Sequence, residues 1–266
     1  MIKNTPGART KKEGDRTMMA QQRFEQILAY VNRRRAASVA ELCAATGASE
    51  ATIRRDLAEL SRLGHVRKVH GGAVALRPAF EAQEADVRTK AQLQVPQKDA
   101  IARYAAAQVT DEDLVFLDAG TTTLHMVEYL DASRATFVTN GVACARRLVE
   151  KGLRAYVLGG LLKPRTEAVV GGVALEMMAN YNYTKAFLGT NGISMQRGYT
   201  TPDTEEACIK EKAVQRAFAS YVLADSTKFG KAAAITVCPL EKARIITDSL
   251  PDESYRRYTV IEEVQV

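Results

Sequence analysis

Short apolar segments alternate with amphipathic segments from about residue 98 to residue 246, and this pattern limits the possible folds more than any other feature of the chain. Strands are expected at residues 114–117, 136–138, 155–158, 186–188, 221–224 and 245–246. Helices are expected at residues 98–108, 122–130, 142–149 and 205–219. Because strands that alternate with helices form a parallel sheet covered by helices, residues 98–266 are predicted to form an α/β domain.

Polar and glycine-containing segments follow several of these predicted strands. Ligands of open parallel sheets bind beyond the carboxyl ends of the strands, so these segments are candidate binding residues. Residues 118–123 also begin a helix, where backbone amides, the positive helix end and Thr hydroxyls can hold a phosphate. The other segments are Thr139-Asn140-Gly141, Gly159-Gly160 and Asp225-Ser226-Thr227-Lys228. Each could instead be a helix cap or a turn, because Asp, Asn, Thr and Gly are preferred there for local reasons.

Glu206 and Lys210 are four residues apart on the predicted helix 205–219. Taken alone, this spacing predicts an ordinary surface ion pair worth a few tenths of a kcal/mol. A role in ligand binding needs support from elsewhere in the sequence.

Positive charge is concentrated near the N-terminal end. Residues 1–77 contain 15 Lys and Arg and 7 Asp and Glu, whereas the remaining residues contain 22 basic and 24 acidic side chains. A basic module joined to a slightly acidic body is typical of a protein that contacts nucleic-acid phosphates and has a separate second function. A basic tail that only improves solubility is the simpler alternative.

Residues 22–77 show the pattern of a helix-turn-helix module followed by a β-hairpin. Ser38 and Glu41 form a capping box, Gly47 can take the left-handed conformation of a sharp turn, and Ser49 is the N-cap of the next helix. The apolar faces of three predicted helices are formed by Phe24, Ile27, Leu28 and Val31, by Val39, Leu42 and Cys43, and by Ile53, Leu57 and Leu60.

Small and basic side chains, among them Ala51, Arg55 and Arg62, lie opposite the apolar face of the third helix. A helix in this position enters the major groove of DNA, and a basic hairpin beside it contacts phosphates as a wing. Arg can pair with guanine, Thr can hydrogen-bond a base or phosphate, and Ala can contact a thymine methyl. The candidate DNA-binding residues are Ser49, Ala51, Thr52, Arg54, Arg55, Arg67, Lys68 and His70.

Residues 49–57 (Ser-Glu-Ala-Thr-Ile-Arg-Arg-Asp-Leu) and 63–73 (Leu-Gly-His-Val-Arg-Lys-Val-His-Gly-Gly-Ala) resemble the winged helix-turn-helix signature of the DeoR/GlpR family of bacterial transcriptional regulators. The resemblance implies binding to double-stranded operator DNA, usually as a repressor of a sugar or polyol catabolic operon. Two operator half-sites about one helical turn apart would need a dimer, so a homodimer or homotetramer is expected.

The body resembles the effector domain of the same family at residues 118–122, 139–141, 159–160, 206–210 and 225–230. That domain is Rossmann-like and similar to ribose-5-phosphate isomerase, which implies a phosphorylated sugar as effector. Residues 189–193 and 198–203 look most like those of members that respond to ketohexose phosphates such as fructose 1-phosphate. The implied effector-binding residues are Asp118, Gly120, Thr121, Thr122, Thr139, Asn140, Gly159, Gly160, Glu206, Lys210, Asp225 and Lys228.

The resemblance also implies a role for individual side chains. Asp118 would bind sugar hydroxyls, residues 120–122 the phosphate, and Asn140 a hydroxyl. Lys210 and Lys228 would bind anionic or carbonyl oxygens.

The remaining features bound the two domains and exclude other classes of protein. Residues 1–21 are predicted to be a disordered extension, and residues 78–97 a linker that begins at Pro78 and is interrupted by Pro96.

No cofactor, metal site or redox motif is expected, because the cysteines are far apart. Apolar stretches are too short for a membrane helix and no signal peptide is recognisable, so a cytoplasmic protein without membrane contact is expected. The cysteines are Cys43, Cys144, Cys208 and Cys238.

Two other functions are compatible with the sequence. A sugar-phosphate isomerase with a DNA-binding appendage would need a carboxylate over the substrate carbon, for which Asp118, Glu206 or Asp225 could serve. Alternatively, the body could bind no small molecule and only dimerise. Nothing near these carboxylates singles out a catalytic base, so the preferred interpretation is a repressor, not an enzyme, released from its operator by a sugar phosphate.

Overall fold

The computed structural model describes residues 10–34, 36–63, 65–75, 80–81, 86–131 and 134–266. The chain divides into two compact units, Met1–Arg77 and Pro78–Val266. In the part of the chain that the structure describes, no helix combines the length and apolar character needed to cross a membrane.

The described part of the N-terminal unit contains three helices and one antiparallel sheet. Strand β3 lies between β1 and β2, with Ala37 opposite Ala73 and Lys68 opposite Ala73 on its two sides. In chain order the elements are α1 (Thr10–Arg34), β1 (Ala36–Ser38), α2 (Val39–Thr46), α3 (Glu50–Arg62), β2 (Val66–Val69) and β3 (Gly72–Ala75).

Local sequence signals set the boundaries of this unit, as expected. Ser38 and Glu41 form the capping box of α2, and Gly47 ends that helix with φ 70° and an amide that donates to Cys43 O at 2.8 Å. Ser49 caps α3, with its hydroxyl accepting from the Thr52 amide. The apolar faces of the helices meet in one core formed by Ile27, Val31, Val39, Leu42, Ile53, Leu57 and Leu60.

Helix α1 is longer than its apolar face predicts. It begins at Thr10, so residues 10–21 are helical in the structure, whereas residues 1–21 are predicted from composition to be disordered. Polar composition favours disorder, but Lys, Gln and Ala also have high helix propensity, and a helix already formed elongates easily. Residues 1–9 of the predicted extension lie outside the described residues.

The larger unit is α/β, as predicted. Its helices are α4 (Val87–Ala91), α5 (Val95–Ala106), α6 (Thr121–Tyr129), α7 (Val142–Glu150), α8 (Gly172–Ala179) and α9 (Thr204–Arg216). Its strands are β4 (Phe80–Glu81), β5 (Leu114–Leu117), β6 (Thr136–Thr139), β7 (Arg154–Val157), β8 (Leu161–Leu162), β9 (Val169–Val170), β10 (Tyr183–Gly189), β11 (Gly192–Ser194), β12 (Gly198–Thr201), β13 (Ala217–Leu223), β14 (Ala232–Ala233), β15 (Ile235–Cys238), β16 (Arg244–Thr247) and β17 (Ile261–Glu263).

A parallel sheet of seven strands in the described chain, ordered β17-β16-β13-β10-β5-β6-β7, forms the centre of this unit. Successive residues of β5 enter cores on opposite faces of the sheet. Val115 and Leu117 pack with Ile101 of α5, while Phe116 packs with Ile209 of α9. The strand order reverses between β5 and β10, and such a switch point opens a crevice at the carboxyl ends of the strands.

Two predicted segments of the larger unit differ from the structure. The predicted helix 205–219 ends at Arg216, because residues 217–219 pair with β10 as the start of β13. The predicted linker 78–97 contains β4, α4 and the first turn of α5, where Pro96 fits because early helical amides need no intrahelical acceptor. Residues 78–79 and 82–85 of that linker lie outside the described residues.

Candidate functional site

A cavity of about 260 Å³ lies beyond the carboxyl ends of β5, β6, β10 and β13, at the point where the strand order reverses. Residues 118–122 follow β5 and Asn140 follows β6, while residues 189–191 end and follow β10 and residues 223–225 end and follow β13. All of the lining belongs to the larger unit. The crevice that parallel-sheet topology predicts is therefore present and holds the candidate residues.

Most of the effector-binding residues expected from the sequence line this cavity. Those brought together are Asp118, Gly120, Thr121, Thr122, Asn140, Glu206, Lys210, Asp225 and Lys228. They come from segments far apart in the sequence. Only the folded structure shows that these segments lie close together.

Three expected residues lie outside the lining that the described residues form: Thr139, Gly159 and Gly160. The Thr139 hydroxyl accepts from the Gly141 amide at 2.9 Å and is fully buried. The Gly159 amide donates to Met177 Sδ at 3.1 Å, and Gly160 has φ 147° with Val170 O 2.5 Å from where a Cβ would lie. Thr139 thus serves a local turn, the alternative left open for such segments, whereas Gly159 and Gly160 pack against α8 and β9.

The Asp118 carboxylate is 1% exposed and is surrounded by donors. Its Oδ1 accepts from the Gly120 amide at 2.9 Å and lies 2.8 Å from the Thr123 hydroxyl. Its Oδ2 accepts from the Gly189 amide at 2.7 Å and from Lys210 Nζ. These contacts use most of the acceptor capacity of a carboxylate. Asp118 therefore holds Lys210 and the strand-end loops in place, and the contact with sugar hydroxyls that the resemblance implies stays a prediction.

Lys210 and Glu206 do not form the surface ion pair that their spacing suggests. Both are 8% exposed. Lys210 Nζ contacts Asp118 and donates to Gly189 O at 3.0 Å, whereas Glu206 Oε1 accepts from the Thr166 hydroxyl at 2.7 Å. A lysine ammonium has three N–H groups, so the described contacts leave Lys210 one donor for the cavity.

Asn140 presents an unsatisfied acceptor at the cavity wall. Its Nδ2 donates to Val169 O at 3.1 Å, which sets the orientation of the amide. Its Oδ1 has no hydrogen-bond partner among the described residues, although the side chain is only 3% exposed. Leaving a buried acceptor unpaired costs about 1–3 kcal/mol, so a ligand hydroxyl is well suited to this position.

Helix α6 directs its N-terminus at the same cavity. Its N-cap is Gly120, and no side chain of the described chain caps it. Thr121 and Thr122 in the first turn line the cavity and are each 8% exposed. Uncapped first-turn amides and the positive helix end together favour an anion at this position.

Three lysines of the lining were not among the site residues expected from the sequence: Lys90, Lys98 and Lys231. With Lys210 and Lys228 they give the described lining five lysines against three carboxylates. Such an excess of positive charge in a confined space favours the binding of an anion. No local sequence signal marks these lysines, because two belong to the predicted linker and the start of α5 and the third to the loop before β14.

Lys98 is the most enclosed of the newly found lysines, at 6% exposure. Its Nζ donates to the backbone oxygen of Lys90. Burial lowers the pKa of Lys98, the Asp225 carboxylate opposes this shift, and the Lys228 ammonium adds to it. Asp225 in turn accepts from the Thr227 amide at 3.0 Å and so fixes the turn that carries Lys228.

The candidate DNA-binding residues of the N-terminal unit are mainly exposed on α3, on β2 and at the turn that follows β2. Ser49, Ala51, Arg54, Arg55, Arg67, Lys68 and His70 are exposed, and Thr52 is half-buried. Arg54 Nη2 lies 3.2 Å from Glu50 Oε2, but both side chains are more than 60% exposed, so this pair is weak.

An ion pair that sequence analysis missed ties α1 to α3. Arg23 makes a bidentate contact with Asp56, with Nη2 3.1 Å from Oδ1, and Asp56 is 7% exposed. Asp56 lies between Ile53 and Leu57 on the inner side of α3, and a carboxylate on an apolar face is the signal that could have revealed it. The pair sets the orientation of α3 against α1.

Each of the two units matches the model of a known domain family. Residues 23–79 match the model of the DeoR-like helix-turn-helix domain, and residues 93–249 match that of the DeoR C terminal sensor domain. The chain is 39% identical over 252 residues to the HTH-type transcriptional regulator FruR of Bacillus subtilis, covering 93% of this chain and 100% of that protein. It is 31% identical over 231 residues to the lactose phosphotransferase system repressor of Staphylococcus epidermidis, covering 85% of this chain and 91% of that protein.

Among solved structures, ribose 5-phosphate isomerase A of Methanocaldococcus jannaschii aligns with 50% of this chain and 53% of its own, at 14% identity and a TM-score of 0.38. The curated relatives named above are described as a transcriptional regulator and a repressor. Both domain models and these full-length relatives show that the chain belongs to the DeoR family of transcriptional regulators.

Proposed function

We propose that this protein represses a sugar catabolic operon and is released from its operator when a phosphorylated sugar binds the cavity of the larger unit. The observation that carries this proposal is the combination of chemistry in one cavity. The α6 N-terminus and the lysine excess suit a phosphate, while the unpaired Asn140 Oδ1 suits a sugar hydroxyl.

The relatives support a sugar as the regulating signal. One is named a lactose phosphotransferase system repressor, and another is named FruR. We propose a ketohexose phosphate such as fructose 1-phosphate as the first ligand to test, on the basis of the motifs at residues 189–193 and 198–203.

DNA recognition is assigned to α3 and the β2–β3 hairpin. Arg55, exposed on α3, is proposed to read a base, whereas Arg67, Lys68 and His70 are proposed to contact phosphates. A homodimer or homotetramer would present two such units to operator half-sites about one helical turn apart.

The test is binding of the purified full-length protein to DNA from upstream of its own gene, at fixed salt, with a panel of sugar phosphates and the corresponding free sugars. Fluorescence anisotropy should show that one phosphorylated sugar abolishes operator binding, whereas the corresponding free sugar leaves operator binding unchanged. A coupling of about 1–3 kcal/mol would appear as roughly 5- to 150-fold weaker operator binding.

Matched variants separate the two sites. Lys228→Ala should abolish release by the sugar phosphate while leaving operator affinity intact, and Lys242→Ala, an exposed lysine outside the lining, should change neither. Arg55→Ala should weaken operator binding by about 1–3 kcal/mol. If Arg55→Ala weakens operator and random DNA equally, Arg55 contacts phosphate; if no sugar phosphate alters binding, the effector assignment is wrong.

A further inference from the structure

A segment near the start of the larger unit forms part of the cavity wall. We call residues 86–98 the connector; they comprise α4, its cap Asp86 and the first turn of α5. Val87, Lys90, Leu93, Gln94 and Lys98 of this segment all line the cavity. A ligand in the cavity would therefore touch the covalent path that leads toward the DNA-binding unit.

A backbone hydrogen bond attaches the connector to the rest of the larger unit beside the cavity. The Val87 amide donates to Arg165 O at 3.0 Å, beside Thr166, which also lines the cavity. Further along, Lys98 Nζ donates to Lys90 O and so ties the end of α4 to α5. Upstream of the connector, β4 pairs with β14, which directly follows Lys231 of the lining.

Backbone strain is located at the join between α4 and α5. Gln94, the N-cap of α5, has φ 52° and ψ 41°, and its side chain makes no capping hydrogen bond. A residue other than glycine in this left-handed region carries a cost of about 1–3 kcal/mol, which the surrounding contacts must offset. Because Gln94 also lines the cavity, the strained joint and the ligand space share a wall.

Positive side chains of the connector and of an opposite loop meet in the cavity. Lys98 and Lys90 on the connector line the cavity together with Lys228 of the opposite loop. The Lys228 ammonium disfavours the charged form of Lys98, while the Asp225 carboxylate favours it. An anion between Lys98 and Lys228 would attract both ammonium groups and so join the connector to the opposite loop.

We propose that the connector is the sensing element of this regulator: an anion bound between Lys98 and Lys228 fastens α4 over the cavity, and this fastening changes operator affinity. The inference rests on the proposed function, whose ligand it uses. It adds that the route from ligand to DNA runs through α4 and Gln94. A chain segment with two arrangements, of which the ligand favours one, meets the physical requirement for coupling.

The experiment is hydrogen exchange of the full-length protein, with mass-spectrometric readout, without ligand, with inorganic phosphate and with fructose 1-phosphate. Amides of residues 86–98 should exchange about fivefold or more slowly when the anion is bound, together with those of residues 120–124 at the start of α6. Inorganic phosphate should produce the same protection from exchange at higher concentration, because the proposal requires only an anion to fasten the connector over the cavity.

Asp86→Ala tests the coupling without removing a cavity residue. Asp86 is exposed and caps α4, accepting from the Thr89 amide at 2.7 Å. The variant should bind fructose 1-phosphate within about threefold of wild type, but the ligand should release operator DNA at least about fivefold less effectively. Asp252→Ala removes a comparable cap, that of the turn Glu253–Arg257, and should behave as wild type.

The outcomes distinguish this inference from the proposed function. Protection of residues 120–124 without protection of residues 86–98, or full release by Asp86→Ala, would overturn the role of the connector while leaving the sugar-phosphate site in place. If no sugar phosphate protects either segment or releases DNA, the proposed function fails, and the inference fails with it.

Discussion

At the scale of single residues, the contact between Asp118 and Lys210 dominates the structure of the cavity. Both side chains are almost fully buried, and Asp118 also receives amides from two strand-end loops. Removing one charge of a buried pair leaves the other uncompensated, which is far more destabilising than the net value of the pair suggests.

Asp118→Asn is expected to lower the free energy of unfolding by about 3 kcal/mol, because the Lys210 ammonium then stays buried without a counter-charge. Urea denaturation measures this. Asp111→Asn is the control, since Asp111 and its partner Arg134 are 46% and 86% exposed and such pairs contribute about 0–1 kcal/mol. The double variant Asp118→Asn, Lys210→Met should lose less stability than the sum of the single variants. Additive losses would show that the two residues are not coupled.

Lys98 is expected to make ligand affinity sensitive to pH. Burial lowers its pKa in the folded protein below the ordinary value, and a bound anion would raise it again. The complex then binds more protons than the free protein, so affinity for a sugar phosphate should fall as pH rises from about 7.5 toward 10, a range in which the phosphate is already a dianion. Calorimetric titration should show this fall in wild type and a smaller one in Lys98→Met. Identical pH profiles would remove Lys98 from the anion site.

At the scale of elements, the wing sheet depends on a close backbone crossing. A Cβ on Gly72 of β3 would lie 2.2 Å from Ala37 O of β1, a contact that neither backbone can relieve without moving. Glycine is therefore required here, because β1 and β3 approach closely. Through this pairing, the β2–β3 hairpin is joined to the strand that directly precedes α2.

Gly72→Ala is expected to destabilise the N-terminal unit by about 1–3 kcal/mol and to weaken operator binding, because β1 and β3 must separate. Thermal unfolding and anisotropy titration provide the two readouts. Gly172→Ala, with open space around its Cβ position in α8, should leave operator binding unchanged. Equal behaviour of the two variants would contradict a steric requirement at Gly72.

At the scale of the whole molecule, charge is divided between the two units according to their partners. The excess of Lys and Arg over Asp and Glu lies in residues 1–77, whereas residues 78–266 carry a small acidic excess, although the described lining of this unit's cavity contains five lysines and three carboxylates. The first arrangement suits a polyanion and the second a small anion.

Operator affinity is expected to fall steeply with salt, because each phosphate contact releases a counterion. For about 6–10 contacts, the loss between 50 and 200 mM salt is roughly 10³- to 10⁵-fold. Anisotropy titrations across this range give the slope, and Lys68→Ala should reduce its magnitude by about 1. Affinity that does not change with salt would exclude phosphate contacts as the main source of binding.

The parts of the fold that the sequence predicts correctly depend on neighbours along the chain. Ser38, Gly47 and Ser49 mark the ends of helices because a cap bonds to amides only two or three residues away. Strand β5 and helices α6 and α7 follow from apolar periodicity, with boundaries within about two residues. Residues 217–219 escape prediction because Ala and Phe suit a continued helix locally, and only pairing with β10 makes them a strand.

By itself, the sequence determined the order of the elements from β5 to β7 and of β10, α9, β13 and β16, the helix-turn-helix and its outward residues, and the strand ends at which polar groups collect, since these depend on local conformation and the alternation of apolar side chains. It did not indicate α8, β17 or the short strands β8, β9, β11, β12, β14 and β15. The tertiary structure alone decided which groups face each other. It enclosed Lys90 and Lys98 with Lys228, turned Asp118 toward Lys210, and left Asn140 Oδ1 unpaired at the cavity wall. Burial and pairing are properties of distant segments brought into contact, and no stretch of sequence records them.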